Sequence, residues 1–515
     1  MSICQEGAKL EPIALWKLPI CKPVKFQHCV TQSYDIMYDL PSFIVDKKYI
    51  MTSCCHNEFV GFRNRYLKDV LNNTTYCKRI LDKCIVELVN LLKPHFEGKL
   101  TTQQFLEGKV GKLGVRYVKA FRDIQQKGFC KTRHSKCSAF VKNELYDELK
   151  PPRMIINRDP RFTLVYGRFT QALEHAMMKI PQFSKGKNFL ERGKQFTDLI
   201  GNNWILEGDF SKFEGSQRLR LLGEVELEIW KALLNSDDYA LMHELFCSKM
   251  TKSGYSQNGV KFQFYACRGS GDADTGLFNS ILSWLACRYF EIVNKTGNGN
   301  FQVDGDDNGI AIPRGREDFI NTFAHFGFDA KLILRKDYHD FNYCSGKFIQ
   351  INKIGDFMYI QNFRKVFNNM RFFRKRNFEH CRADYYHSLG FMYKVIYGEL
   401  PLIKEFADML LRSTEGHYVK PEILYDLNPM YHEQLKHREL KAEYDEHIIT
   451  ELALSLDLTI PNIRQLQDYF KNSIIKFREN ETKRYRNTGS KIERPTFEEM
   501  REIDDLLMTR KKCQS

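Results

Sequence analysis

Two adjacent carboxylates, Asp306 and Asp307, stand in the run FQVDGDDNGIAI at residues 301–312. Apolar alternation leads in over 301–304 and out over 309–312, with Gly305, Asp306, Asp307 and Asn308 between. Gly and Asn tolerate the positive φ of a tight turn, so the pattern predicts a β-hairpin with both acids at its tip. Neighbouring carboxylates repel unless a cation lies beside them. Magnesium, a hard cation that takes oxygen ligands, suits such a pair. An acidic solvated turn has the same sequence, so the choice rests on what else the chain brings to this tip.

A third acid has the right setting. The run WILEGDFSKFEGSQ at 204–217 approaches as an apolar strand and ends at Gly208-Asp209, with Glu214 five residues on. Asp209 at a strand end can meet the Asp306–Asp307 turn across an adjacent strand. Three carboxylates around two divalent ions can clamp the attacking and leaving oxygens of a phosphoryl transfer. An isolated Asp in a solvated loop is the plain alternative.

Two further stretches have residues suited to a nucleotide. Lys142, Lys150, Arg153, Arg158, Arg161 and Arg168 recur among Pro151, Pro152 and Pro160. Proline holds the backbone extended, so these cations are expected to be displayed and not folded onto a helix. Arg and Lys in that setting fit a triphosphate or an RNA backbone, and equally a solvated basic loop. The run CRGSGDADTGLFN at 267–279 places flexible Gly269, Ser270 and Gly271 before a helix expected to start near Asp272–Asp274. Thr275 and Asn279, four apart, share one face and can read a ribose hydroxyl, or else serve as a cap and a surface amide.

Together these stretches resemble the tombusvirus-like RNA-dependent RNA polymerases, whose motifs occur here in the order F, A, B, C, D, E over residues 140–350. The basic stretch is similar to motif F, which implies that Lys142, Lys150, Arg153 and Arg158 hold the incoming nucleotide, with Arg161 and Arg168 as weaker matches. Asp209, Ser211, Lys212 and Phe213 match the motif A pattern D-x-S-R/K-F-D, and Glu214 departs where Asp is usual. Ser270, Gly271, Asp272, Thr275 and Asn279 match motif B, whose loop holds template and nucleotide and whose Asn recognises the 2′-hydroxyl together with the motif A acid, here Glu214. Lys331 occupies the place of the motif D lysine proposed to protonate pyrophosphate. Residues 341–345 resemble motif E, a hairpin between palm and thumb that touches the primer strand.

The resemblance implies an α+β right-hand polymerase with an antiparallel palm sheet and mostly helical fingers and thumb. Its segments would be 1–200 (extension and fingers), 201–225 (palm), 226–265 (fingers), 266–350 (palm) and 351–515 (thumb and tail). Asp209, Asp306 and Asp307 would hold two Mg2+ ions, with Mn2+ as a substitute, and Asp209, Asp306, Asp307 and Lys331 would be catalytic. RNA template, product strand and NTPs are the implied ligands, alongside other viral or host replication proteins. The implied place is the host cytoplasm, in membrane-associated replication complexes reached through a partner. Arg374, Lys375 and Arg376, in a basic run interleaved with Phe363, Phe367, Phe372, Phe373 and Phe378, are expected at the RNA, with the aromatics packing inward. A reverse transcriptase is disfavoured by Asn279 and by Asp304, where an aromatic is usual. A silent RNA-binding scaffold on the same fold is disfavoured by the three intact aspartates, although Glu214 leaves it open.

The rest of the chain must position these groups. Its 515 residues, 43% hydrophobic, suffice for more than one core. A net charge of +14 favours a polyanionic partner, nucleic acid or anionic membrane. No apolar run reaches the roughly 18 residues of a membrane span, and the N-terminus lacks a secretory pattern. Fifteen cysteines point to reduced thiols. The groups Cys54, Cys55, His56, Cys77 and Cys130, His134, Cys137 lack clean zinc spacing. An irregular arm is expected over 1–49. Helices are expected over 57–94 (Val70, Leu71, Ile80, Leu81, Val86, Leu88 inward), 101–126 (broken at Gly111 and Gly114), 170–180, and from 317 until a strand containing Lys331. Residues 471–490 read as charged and mobile. A last helix is expected after Pro495, with Thr496 and Glu499 as a capping box.

Overall fold

Alternating burial along short strands and one-sided burial along helices build a mixed α+β fold. The computed structural model describes residues 2–3, 20–23, 34–67, 74–109, 111–352, 355–398, 400–427, 446–484, 496, 498 and 500. Most of the N-terminal arm, Val70, Leu71 and most of the expected last helix lie outside them. In chain order the strands are β1 (Ser2–Ile3), β2 (Ile20–Pro23), β3 (Tyr49–Met51), β4 (Cys137–Val141), β5 (Leu145–Tyr146), β6 (Met154–Arg158), β7 (Asn203–Phe210), β8 (Thr251–Ser256), β9 (Val260–Tyr265), β10 (Phe301–Asp304), β11 (Asp307–Pro313), β12 (Ala330–Arg335), β13 (Gly346–Gln350) and β14 (Phe357–Gln361). They form four sheets, ordered β1-β3-β5, β2-β9-β8-β4-β6, β10-β11-β7-β12 and β13-β14.

The expected hairpin is β10–β11, and Asp304 faces Asp307 as its last pair. The turn is tighter than the four residues expected, because β11 already begins at Asp307. Gly305, at φ +68°, supplies the positive φ that a two-residue hairpin loop needs at its first central position. Its N–H donates to Ser280 Oγ at 2.8 Å. Ser280 belongs to the helix Thr275–Asn294, which starts where expected and is buried along most of its length. That helix carries Leu277, Ile281, Trp284 and Leu285 into the largest core, with Val303, Ile310 and Ile312 from the hairpin and Leu206 from β7.

The five-stranded sheet follows a period of two, with Ala139, Met154, Ile156, Phe262 and Phe264 inward against Phe59 and Phe62. After β6 the basic stretch does not stay extended. Pro160 takes the first position of the helix Pro160–Met177, and Asp159 caps it by accepting from Arg161 N–H. Proline fits a helix N-terminus because its missing N–H has no partner there anyway. Arg161 and Arg168 are therefore helical.

A third core gathers the C-terminal helices, among them Phe363–Met370, Arg382–Tyr397 and Ile403–Ser413. Phe363, Phe367, Phe373 and Phe378 are buried in it, as expected of the interleaved aromatics. The described part of the arm packs here too. Met37, Tyr38, Leu40 and Ile44 join this core, and Tyr38 donates to Phe367 O at 2.8 Å. β2 of the same arm pairs instead with β9 in the five-stranded sheet.

Four local expectations change. Residues 101–126 divide at Gly108 into Thr102–Glu107 and Gly111–Lys127, and Gly114 lies inside the second helix. The helix before Lys331 is a five-residue 3-10 turn, Thr322–Phe326, ended by Gly327 at φ +78°. Residues 473–484 pack back, with Ile475 and Glu481 buried and Glu481 paired with Arg382 at 2.7 Å. Val86 faces solvent.

Candidate active site

β11 pairs with β7 in a register that puts Asn308 opposite Gly208. One step further along the two strands are Asp307 and Asp209, and β12 places Lys331 opposite Asp209 on its other side. Asn308 fixes this junction. Its buried amide donates to Gly208 O and Asp306 O, both at 3.2 Å. A side chain at 208 would collide with Asn308, so glycine there is what lets the amide lie across β7. The meeting of Asp209 with the paired acids, expected from sequence, is present in the backbone.

These acids differ in compensation. Asp304 pairs with Arg192 at 2.7 Å. Among the described residues, Asp209, Asp306 and Asp307 form no ion pair. Burial, and then the charge of Asp306, push Asp307 up to about 7. Asp306 is raised by withdrawal from water and by Glu214. A carboxylate-only donor set with unrelieved repulsion suits a hard cation. The side chains are not drawn into one shell, since among the described residues no three His, Cys, Asp or Glu groups are close enough to hold a metal ion.

The raised group has a pH signature. Asp307 titrates near 7 in the folded chain and near 3.8 unfolded, so the folded state holds the extra proton between these values. Its contribution to stability is complete below about pH 4 and lost as pH rises through 7. Asp307→Asn should remove this component, so that in chelator its denaturation midpoint exceeds that of the parent chain at pH 8 and matches it more closely at pH 5. Equal differences at both pH values would contradict the assignment.

Glu214 does not meet Asn279. It is buried and pairs with Arg65, from the segment Arg63–Leu67. Burial raises its pKa, and Arg65 more than reverses this, leaving Glu214 below the usual range. The same two segments approach closely at the next residue, where Gly215 lies against Arg65 O and no Cβ fits. The partner of Asn279 is Gln217, whose amide donates to Asn279 Oδ1 at 2.8 Å. Gln217 Oε1 in turn accepts from Arg268 Nε at 2.5 Å. Arg268 also bonds Asp274, at 2.8 Å, and Glu226. Lys249 joins the same two acids, and Tyr166 donates to Asp274 at 2.8 Å. All members of this network are buried. Thr275 is used differently from expectation, since its hydroxyl donates to Gly269 O at 2.6 Å and Asp272 O at 2.9 Å and so braces the loop. Ser270 donates to Met154 O, and Gly271 presses on β6, where a Cβ would meet Ile156 O at 2.8 Å.

The basic residues divide. Arg158 falls on the inward face of β6, where its buried guanidinium bonds Asp272 at 2.7 Å, Ser135 O at 2.7 Å and Lys249 O. It is a structural tie and not a displayed phosphate contact, because the period of two sends it inward. Arg153 is exposed and lies near enough to lower the pKa of both Glu214 and Asp306. Lys142 pairs with Glu144 at 2.8 Å and Lys150 with Glu148 at 3.3 Å, both partly exposed. Arg374 is not free for RNA in this state. It donates to Asn143 O at 3.2 Å and joins the C-terminal helices to the loop after β4. Lys375 pairs with Asp426 at 2.6 Å, and the side chain of Arg376 lies outside the described residues. Sequence reasoning missed Arg65, Gln217 and Arg268. The latter two stand in the runs 204–217 and 267–279 that resemble motifs A and B. Arg65, 149 residues from Glu214, has no local signal.

A family model described as RNA dependent RNA polymerase matches residues 159–390, which includes Asp209, Asn279, Asp306, Asp307 and Lys331 and excludes Lys142 to Arg158. The RNA-directed RNA polymerase of Groundnut rosette virus (strain MC1) is 25% identical over 220 residues, 39% of this chain and 25% of that protein. That of Tobacco necrosis virus (strain D) is 24% identical over 261 residues, 45% of this chain and 35% of the relative. That of Pariacoto virus is 26% identical over 253 residues, 44% and 26% respectively. The chain thus spans about a quarter to a third of the length of these curated relatives. Over its central residues it is related to the viral RNA-dependent RNA polymerases of several positive-strand RNA virus families, the tombusvirus-like and nodavirus-like groups among them.

Proposed function

We propose that the chain is an RNA-directed RNA polymerase that copies a positive-strand viral RNA genome from NTPs. The observation that carries this reading is the register that sets Asp307 beside Asp209, with Lys331 on the far side. In a right-hand arrangement the sheet β10-β11-β7-β12 is the palm, the five-stranded sheet belongs to the fingers, and the helices after β14 are the thumb. Two Mg2+ ions, or Mn2+ in their place, would be held by Asp209, Asp306 and Asp307 and would lower the pKa of the primer 3′-hydroxyl while neutralising transition-state charge. Arg153, with Lys142 and Lys150 beside it, holds the triphosphate. Lys331 Nζ, exposed next to Asp209, gives a proton to the departing pyrophosphate. The Gly271 loop supports the template. RNA template, product strand and NTPs are the ligands, and other replication proteins bring the chain to membrane-associated complexes in the host cytoplasm. No helix among the described residues is long and apolar enough to cross a membrane.

Ribose selection follows from the amide pair. Gln217 donates to Asn279 Oδ1, so Asn279 presents its N–H2 side to a 2′-hydroxyl oxygen. A site built to pair a hydroxyl discriminates strongly against its absence. The test is template-directed primer extension with magnesium, comparing ribonucleotides with deoxyribonucleotides. Gln217→Ala should lower the ribo-to-deoxyribo ratio at least roughly tenfold, about 1.4 kcal/mol. Glu214→Ala should depress both substrates alike, because Glu214 holds Arg65. No extension by the parent chain with any nucleotide would overturn the polymerase reading. A ratio lost in Glu214→Ala but kept in Gln217→Ala would return ribose reading to Glu214.

A further inference from the structure

The five-stranded sheet has an outward face that the proposed site does not use. β8 directs Thr251, Ser253 and Tyr255 outward, and β9 directs Lys261, Gln263 and Tyr265. One rung crosses all five strands: Asn157 opposite Ser138, Ser138 opposite Tyr255, Tyr255 opposite Lys261, and Lys261 opposite Lys22. At a strand spacing of about 4.8 Å this row is roughly 19 Å long. Its inner end abuts the candidate site, since Gly271 lies against Asn157 Oδ1 with no room for a Cβ.

The outer end is electrostatically unfavourable as it stands. Lys22 and Lys261 are direct cross-strand neighbours, and like charges in that position destabilise a sheet. Both are exposed, and neither forms an ion pair among the described residues. The outward positions of β4, β6, β8 and β9 include no acid, and no Asp or Glu occurs between Pro12 and Tyr34 in the sequence. A third cation, Lys136, reaches Ser253 Oγ on this face at 3.1 Å. Beside Lys261 stands Tyr255, 54% exposed, and Tyr265, 42% exposed, lies on the same face. Exposed aromatics among cations without acids are the makings of a single-strand platform, where bases stack and phosphates are neutralised.

We propose that this rung is a docking track for single-stranded RNA, with phosphates at Lys22 and Lys261 and a base on Tyr255, leading to the Gly271 loop. The proposal rests on the polymerase reading for the identity of the strand. Binding measured without turnover separates the two. Fluorescence anisotropy of labelled oligouridylate with the full chain should show Lys22→Gln/Lys261→Gln weakening affinity about tenfold and reducing the log–log salt slope by roughly 1.4, two phosphates at about 0.7 each. Tyr255→Ser should weaken binding about tenfold with the slope unchanged. Photocrosslinking of 4-thiouridine RNA to the parent chain should label the peptides around Tyr255 and Lys261. If crosslinks avoid these peptides, or if both variants keep the parent affinity and slope while melting like the parent, the track is wrong. Variants that lose an acidic polypeptide or an anionic vesicle instead of RNA would overturn it in favour of those partners. RNA binding that depends on the rung in a chain without polymerase activity would leave the track standing and remove the polymerase reading.

Discussion

Asp306→Asn should reduce nucleotide addition by roughly a thousandfold or more, with the fold and RNA affinity retained. The substitution keeps size and removes one charge at the hairpin turn. Asp306 forms no ion pair among the described residues, and burial and Glu214 raise its pKa by more than Arg153 and Arg65 lower it, so losing the charge is not expected to destabilise the fold. Relief of repulsion should also lower the pKa of Asp307. The measurement is single-turnover extension with magnesium, alongside a thermal melt in chelator. Extension within a few-fold of the parent chain would remove Asp306 from the reaction. A lowered melting temperature would show that the carboxylate has a structural partner.

The largest loss of stability is expected at Arg268. Its guanidinium is buried among Glu226, Asp274 and Gln217, and Lys249 is the other cation of the cluster. Burial pushes Asp274 up, and Lys249 with Arg268 more than reverses it. Arg268→Met would leave two buried carboxylates with one ammonium, an uncompensated charge that costs about 3–5 kcal/mol. Arg268→Lys should rescue little, because an ammonium cannot span three acceptors as the planar fork does. Urea denaturation checks both. A loss below about 1 kcal/mol for Arg268→Met would mean that water reaches the cluster. In surviving protein, the ribo-to-deoxyribo ratio should also fall, since Gln217 would lose its anchor.

The parts of the site legible in sequence were those set by short periods. Gly305 between two alternating runs announced the hairpin, and the apolar approach to Gly208-Asp209 announced a strand end. The helix from Thr275 was clear from its apolar spacing. Arg158 shows the limit. Its charge suggested display, and the alternation Met154, Ile156, Arg158 sends it inward, a parity readable only once the strand is known. Pro160 was taken to extend the chain and instead begins a helix, because Asp159 before it supplies the cap. The Arg65–Glu214 and Gln217–Asn279 pairs depend on tertiary approach across 149 and 62 residues, which no local pattern encodes.

The arm segment that carries Tyr38 sets a timetable for synthesis. Tyr38 finds its acceptor at Phe367, 329 residues later. At about 5–20 residues per second a ribosome needs roughly 16–66 s to cover that distance. Through that interval Met37, Tyr38, Leu40 and Ile44 have been made and the core that receives them has not. The core of the C-terminal helices therefore closes late, around a segment emerging early and waiting, and a chaperone that shields such apolar residues would find its substrate in this arm during most of translation.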